Sequence, residues 1–180
     1  MTAGRRVQHA SVRETRAGDR KGEDVEQLLG FLTEDVIALD LKATDREGAI
    51  AELVDLMVEA GKIDAQDRDA IVQQVLEREK LGSTGIGHGF AIPHVKACDR
   101  VSELVGAFGR SAEGIDFNAI DGEPCTLFFL MVSPAGGAGE HLRILQKIAR
   151  AVRDERRVRF LTEAKDAAEV VALLNEVTES

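Results

Sequence analysis

Apolar residues recur every three or four positions in two stretches of the first half of the chain, which is the spacing of helices with one buried face. The first stretch contains Ile50, Leu53, Val54, Met57 and Val58. Residues 44–47 precede it as a capping box with Thr44 as the cap, and Gly61 follows where a helix-ending glycine belongs. The second stretch contains Ile71, Val72, Val75 and Leu76. It predicts a helix that begins near residues 64–67 and ends at residues 81–82.

Three other segments have the short apolar pattern of strands. Residues 36–41 alternate enough to predict a short strand, and residues 104–108 and 127–132 are two further candidates. The last of these is apolar on both faces, as in a central strand that is covered on both sides. Between the last two segments, residues 113–116 and 120–123 are expected to form turns.

The C-terminal part predicts a flexible loop over residues 133–139 and then two helices. The first helix begins near Glu140 and carries one apolar stripe, made of Leu142, Leu145, Ile148, Ala149 and Val152. The second begins with a capping box formed by Asp166 and Glu169. Because helices flank strands along the chain, the pattern predicts an α/β layered fold in a single domain.

The first 28 residues differ in composition from the rest. Residues 1–21 contain six basic and two acidic side chains and few large apolar ones, so residues 1–28 are predicted to be a disordered extension of a domain at 29–180. The simplest interpretations of this extension are a flexible tail or a misassigned start codon. The functional alternative is a basic arm that touches a membrane or nucleic acid. His9 lies in this segment, and no role is predicted for it.

The composition excludes several classes of protein. The net charge of −9 argues against nucleic-acid binding and suits a partner with a basic contact surface. The longest apolar run, residues 127–132, is far shorter than a membrane helix, and nothing resembles a signal peptide. We therefore expect a cytoplasmic protein without membrane insertion, whose Cys98 and Cys125 remain thiols.

Residues 82–94 (GSTGIGHGFAIPH) are the most informative stretch of the chain. Glycine allows backbone amides to converge on an anion, and the stretch ends on His94, which follows a proline. The pKa of an unperturbed histidine, about 6.5, leaves an unprotonated ring nitrogen near pH 7. The combination predicts a histidine that carries a phosphoryl group.

Two further residues could assist His94. His141 lies at a predicted helix start, where unpaired amides and the helix dipole favour an anion. Arg78 lies on the helix that leads into the glycine-rich run, and its guanidinium could bridge two phosphoryl oxygens. From spacing alone, a salt bridge between Arg78 and Glu77 or Glu79 is the simpler interpretation, and His88 is expected to be an exposed histidine without a special role.

No cofactor or metal is predicted. The glycine-rich run lacks the Lys-Ser/Thr ending of a nucleotide-binding loop and the glycine spacing of a dinucleotide site. A zinc site built from His88, His94, His141 and Cys98 is the metal alternative, although the spacing fits no compact zinc pattern.

Residues 82–94 resemble the signature of the fructose/mannitol-type enzyme IIA domain of the bacterial phosphoenolpyruvate-dependent sugar phosphotransferase system, including its nitrogen-regulatory type. The resemblance extends over about residues 31–178, through residues 76–79, 109–111, 114–117, 133–134 and 139–142. It implies a mixed β-sheet sandwiched between helices. Two positions depart from the family pattern: Val95 replaces a frequent glycine, and His88 a frequent asparagine.

The resemblance also implies a reaction. His94 would accept a phosphoryl group from a phosphohistidine on a small histidine phosphocarrier protein, with His141 as its partner and Arg78 as an active-site arginine. The phosphoryl group would then pass to a cysteine of a separate IIB domain in sugar uptake. In the nitrogen-type relatives, phosphorylation of the IIA domain instead regulates target proteins. Because the chain contains no IIB, IIC or DNA-binding segment, a stand-alone regulatory IIA is the preferred expectation, and a binding module that is not phosphorylated is the alternative from another class.

Overall fold

The computed structural model describes residues 30–179, and the extension predicted for residues 1–28 lies outside the described residues. The described part contains five α-helices: α1 (Arg46–Glu59), α2 (Arg68–Lys80), α3 (Ala138–Ala151), α4 (Glu155–Glu163) and α5 (Ala167–Glu179). Its six strands are β1 (Ile37–Ala38), β2 (Gly85–Gly87), β3 (Phe90–Ala91), β4 (His94–Cys98), β5 (Val105–Ile115) and β6 (Cys125–Pro134). Short 3₁₀ turns at Glu34–Val36 and Ala65–Asp67 lead into β1 and α2. None of the described helices is long and apolar enough to cross a membrane.

All six strands form one mixed sheet in the order β1-β5-β6-β3-β2, and β4 also pairs with β6. β6 is central: β5 runs antiparallel on one side, while β3 and then β4 run parallel along the other. Its residues from Leu127 to Ser133 are all buried, which confirms the prediction of a central strand that is covered on both faces.

Helices cover both faces of the sheet, as neighbouring residues of β5 show. A Cβ on Gly109 would lie 2.8 Å from a methyl group of Leu41 and 2.9 Å from one of Leu53, so α1 packs closely on that face. The next residue, Arg110, points to the other face and donates hydrogen bonds from Nη1 to the carbonyl oxygens of Thr162 and Ala164 at the end of α4, at 2.7 and 2.8 Å. The expected α/β fold, a mixed sheet between helices in a single domain, is therefore confirmed.

Hydrogen bonds from backbone amides to side-chain carboxylates determine where two helices begin. The cap of α1 is Asp45 and not Thr44 as predicted, because the Asp45 carboxylate accepts a hydrogen bond from the Gly48 amide at 2.7 Å. The capping box of α5 forms: Asp166 accepts from the Glu169 amide, and the Glu169 carboxylate accepts from the Lys165 amide, both at 2.8 Å. Gly61 ends α1 with φ +69°, as predicted.

Several local predictions were wrong. Residues 36–41 contain only the two-residue strand β1, and the expected turn at 113–116 is an irregular section of β5, which continues to Ile115. The buried stripe of α3 contains His141 and Ile144, while Leu142 is 55% exposed, because the histidine takes a position that an apolar pattern assigns to its neighbour. Helix α4 was not predicted, since it has few apolar residues among many charged ones.

Candidate functional site

His94 and His141 lie side by side although they are 47 positions apart in the sequence. Their ring centroids are 5.2 Å apart, and the ring planes are inclined by 62°. His94 is the first residue of β4, where it pairs with Met131 of β6, and His141 lies in the first turn of α3. The turn of residues 135–137 after β6 brings α3 back over the sheet, and this places the second histidine beside the first.

The backbone before His94 determines which of its ring nitrogens is protonated. His94 Nδ1 lies 2.7 Å from the carbonyl oxygen of Ile92. A carbonyl oxygen only accepts hydrogen bonds, so Nδ1 is the protonated nitrogen and Nε2 keeps its lone pair. Pro93 restricts Ile92 to extended conformations, which helps to fix the direction of that carbonyl group. Burial lowers the pKa of His94, and the cation Arg78 lowers it further, so the ring is neutral near pH 7.

His141 is more deeply buried than His94, with 4% of its surface exposed. Its Nδ1 lies 2.5 Å from Oγ of Ser133, which is fully buried on β6. Burial lowers the pKa of His141 to about 4, and the charges of Lys96 and Arg78, with that of His94 when it is protonated, act in the same direction. Both rings are therefore neutral under physiological conditions.

The glycine-rich run is attached to the end of α2 by two adjacent side chains. The buried Glu79 carboxylate accepts hydrogen bonds from the amide and the hydroxyl of Thr84, at 2.8 and 2.7 Å. Arg78 donates from Nη1 to the carbonyl oxygen of Gly82 at 3.0 Å. These contacts fix the beginning of the run relative to the helix.

The salt-bridge interpretation of Arg78 was wrong. Glu79 is occupied by Thr84, and Glu77 pairs with Lys80 at 2.6 Å. Within residues 30–179, Arg78 makes no ion pair. Its charge is close enough to lower the pKa values of both site histidines, so it remains available to an anion at the site.

The glycine-rich run forms a tight hairpin of β2 and β3 instead of an open loop. His88 is at its tip with φ +56°, and its amide donates to an Asp121 carboxylate oxygen at 2.9 Å. Asparagine adopts this left-handed conformation more readily than most residues, which explains why it is frequent at the corresponding family position. The His88 side chain is exposed and, among the described residues, makes no ring contact with His94 or His141.

The zinc alternative is not supported by the geometry. Across residues 30–179, no three His, Cys, Asp or Glu side chains come close enough together to hold a metal ion. The cluster of His88, His94, His141 and Cys98 therefore does not form. Cys98 and Cys125 are buried free thiols, and burial raises the pKa of Cys125 to about 12.

Two residues of the site were missed in the sequence. Lys96 is exposed and follows His94 by two positions on β4, and its charge also lowers the pKa values of both histidines. Its positive charge so close to His94 in the sequence could have indicated it. Ser133 contacts His141 only because of the chain reversal between β6 and α3, and no local pattern indicates that contact.

This arrangement suits an anionic electrophile such as a phosphoryl group. A neutral imidazole with a free Nε2 can attack phosphorus, while Arg78, Lys96 and the first turn of α3 supply positive charge and N–H donors beside it. α3 has no side-chain cap, so none of the described side chains occupies its terminal amides.

Comparisons with known proteins agree with this chemistry. The family described as "Phosphoenolpyruvate-dependent sugar phosphotransferase system, EIIA 2" matches residues 30–177. The fructose-specific EIIA component of the phosphotransferase system of Haloferax volcanii is 42% identical over 156 residues, which are 87% of this chain and 99% of that protein.

Two solved structures share the fold. The nitrogen regulatory protein IIA-Ntr of Neisseria meningitidis superimposes with a TM-score of 0.75 at 32% identity, over 82% of this chain and 99% of that one. The mannitol IIA of Escherichia coli, in its complex with phosphorylated IIB, gives a TM-score of 0.68 at 26% identity, over 81% and 97% of the two chains. The chain therefore belongs to the EIIA type 2 family of the phosphoenolpyruvate-dependent sugar phosphotransferase system.

Proposed function

We propose that this protein is a phosphocarrier in which Nε2 of His94 accepts a phosphoryl group from a phosphohistidine of a small histidine phosphocarrier protein. The observation that carries the proposal is the 2.7 Å contact between His94 Nδ1 and the Ile92 carbonyl oxygen. It assigns the proton to Nδ1 and leaves Nε2 as the nucleophile beside His141.

The bonds and electrons of the phosphoryl transfer balance without a metal, a water molecule or a redox partner. The lone pair of His94 Nε2 forms a bond to phosphorus while the N–P bond of the donor phosphohistidine breaks, and the electron pair of that bond returns to the donor ring. The proton on His94 Nδ1 stays in its hydrogen bond to Ile92. Because the reaction consists mainly of an in-line transfer, the protein contributes position and charge stabilisation.

Three side chains and one helix end would stabilise the transferred group. Arg78 and Lys96 supply positive charge, as their effects on the pKa of His94 indicate. His141, in the first turn of α3, would donate a hydrogen bond to a phosphoryl oxygen, and the uncapped amides of that turn would be available as further donors. Since the site holds few fixed donors, phosphohistidine would be stabilised moderately and could be passed on.

The phosphoryl group would leave His94 for the thiolate of a cysteine on a separate IIB domain, forming an S–P bond as the N–P bond breaks. Similarity to the Haloferax fructose-specific component, along 99% of its length, supports this uptake role. Similarity to the Neisseria IIA-Ntr supports the regulatory role that was preferred from the sequence. We favour uptake because the identity to the Haloferax component, 42%, is higher than the identity to the Neisseria protein, 32%. Residues 29–180 would be the carrier domain, and it would act in the cytoplasm.

The acceptor residue can be tested by intact-mass measurement after incubation with phosphoenolpyruvate, enzyme I and the histidine phosphocarrier protein. The full chain should gain one acid-labile phosphoryl group, and His94→Gln should gain none. His88→Asn is the matched control, since His88 is exposed at the hairpin tip and asparagine fits its φ of +56°. Labelling of His94→Gln, or loss of labelling in His88→Asn, would contradict the assignment.

The destination can be tested with the phosphorylated protein. In the uptake role, adding a fructose-type IIB domain should move the phosphoryl group to the IIB cysteine, and a IIB Cys→Ser variant should not receive it. Retention of the group on His94 with active IIB present would favour the regulatory role.

A further inference from the structure

Ser133 lies beneath the site and is fully buried on β6. The pairing of His94 with Met131 places both residues on one face of the sheet, and Ser133 shares that face two positions further along β6. α3 crosses the same face, so the Ser133 hydroxyl meets Nδ1 of His141 at 2.5 Å. Of the two site histidines, Ser133 thus lies behind the one whose ring contacts no backbone carbonyl in the described residues.

The direction of this hydrogen bond follows from the surroundings of Ser133. Among the described residues, the Ser133 hydroxyl has no other hydrogen-bond partner. If His141 Nδ1 were the donor, the serine proton would be a buried donor without an acceptor, which is costly. If the hydroxyl donates to Nδ1, that cost disappears, and His141 carries its own proton on Nε2.

The second arrangement also fits the neighbouring ring. His94 has its proton on Nδ1, so its Nε2 offers a lone pair. If His141 also offered a lone pair from Nε2, neither ring could donate a hydrogen bond to a phosphoryl oxygen. A proton on His141 Nε2 makes the two rings complementary: one attacks and the other donates.

We propose that Ser133 is a positioning residue that donates its hydroxyl proton to His141 Nδ1 and thereby holds His141 in the Nε2–H tautomer, as the hydrogen-bond donor to the phosphoryl group on His94. The role in transfer rests on the proposed phosphocarrier function. The tautomer is a property of the unphosphorylated protein, and it can be measured separately.

The tautomer can be read from long-range ¹H–¹⁵N correlation spectra of the imidazole rings in the full chain at pH 7. His141, assigned with a His141→Gln variant, should show an unprotonated Nδ1 and a protonated Nε2. His94 should show the opposite pattern. A protonated Nδ1 on His141 would overturn the proposal, whether or not the protein accepts a phosphoryl group.

Substitution tests the role of Ser133 in transfer. In Ser133→Ala, His141 should populate both tautomers, and the single-turnover rate at saturating donor should fall about fivefold to tenfold, as expected for one lost hydrogen bond. The donor concentration that gives half of the maximal rate should not change, because Ser133 is fully buried and cannot contact the donor protein.

Ser111→Ala is the matched control. Ser111 is a buried serine of the neighbouring strand β5, and its hydroxyl accepts from the Gly114 amide at 3.2 Å, away from both histidines. Ser111→Ala should leave the tautomer and the rate unchanged. An unchanged tautomer and rate in Ser133→Ala, or equal losses in both variants, would overturn the proposal. If Ser133→Ala does not fold, the spectrum of the unsubstituted protein decides.

Discussion

The two sides of the site orient their histidines by different means. On the β4 side, His94 is oriented by a backbone carbonyl, with a proline between the two residues. On the α3 side, His141 is oriented by the side chain of Ser133. A carbonyl group is present whatever residue occupies position 92, whereas a hydroxyl is lost with one substitution. The position of the proton on His94, the proposed nucleophile, is therefore fixed by the backbone, and the position of the proton on His141 depends on a single side chain.

The sides also differ in their dependence on solvent. His94 is partly exposed, as the acceptor proposed for a group from another protein must be. His141 is almost completely buried, which lowers its pKa to about 4 and keeps its ring neutral. In the proposed reaction, the histidine that would react is therefore the exposed one, and the histidine that would assist it is shielded. Four predictions test this division.

Removal of the assisting ring should have the largest effect. His141→Ala should fold and still accept a phosphoryl group on His94, about 10²–10³-fold more slowly, as for the loss of one charge-stabilising donor. Quenched-flow measurement of a single turnover would give the rate. If His141→Ala transfers at the rate of the unsubstituted protein, the two sides do not cooperate.

Burial of His141 should make stability depend on pH. Between its ordinary pKa of 6.5 and its folded value of about 4, the unfolded chain binds a proton at this ring that the folded chain does not. Above pH 6.5, His141 takes nothing from the free energy of unfolding. As the pH falls below 6.5, that free energy decreases, by about 3 kcal/mol near pH 4.

Urea unfolding at pH 7 and pH 4.5 would measure this loss. His141→Gln should lose less stability than the unsubstituted protein over the same interval, since glutamine does not titrate. His88→Asn should keep the full loss, because His88 is exposed. An equal loss in all three proteins would show that His141 does not cause the pH dependence.

The attachment of the hairpin to α2 should contribute next. Glu79→Ala leaves the Thr84 amide and hydroxyl without their buried acceptor and should cost about 2 kcal/mol of unfolding free energy. Glu77→Ala is the matched control on the same helix: Glu77 is exposed and pairs with Lys80, so its loss should cost less than about 0.5 kcal/mol. If the two variants had the same melting temperature, Glu79 would not stabilise the fold through Thr84.

The smallest effect is expected at Arg78. Arg78→Lys keeps the positive charge. A lysine cannot, however, donate a hydrogen bond to the Gly82 carbonyl oxygen and at the same time hold a second donor towards the phosphoryl group in a fixed geometry. Phosphoryl transfer should therefore slow about tenfold. A single-turnover measurement at saturating donor would show the loss. A rate equal to that of the unsubstituted protein would mean that charge alone is needed at this position.

Much of this arrangement could be predicted from the sequence where the pattern is local. Helices α1 and α2 and the central strand β6 follow from apolar spacing, and His94 follows from the glycine-rich run. Helix α4 was missed because its burial depends on Leu161 within a charged segment. The stripe of α3 was right at Ile148 and Val152, but its beginning was assigned one position too far, because a buried histidine does not look apolar in a sequence.

The contacts that complete the site are not local. Ser133 reaches His141 through the register of β4 on β6 and the reversal into α3, and neither is encoded in a short segment. The distinction between Glu77 and Glu79 on α2 depends on where Thr84 lies in the fold. Such residues become visible only when the pairing of the strands is known.

The contacts of Arg110 suggest a guide for redesigning this scaffold. Its guanidinium donates hydrogen bonds to the backbone carbonyl oxygens of Leu39, Thr162 and Ala164. These contacts do not involve the side chains of the three partner residues. A protein engineer could therefore rewrite the residue types at all three partner positions, within the limits of packing, and keep the joint between the sheet and the end of α4. Position 110 itself allows no such freedom, because lysine would supply one ammonium group where a planar fork now reaches two parts of the chain.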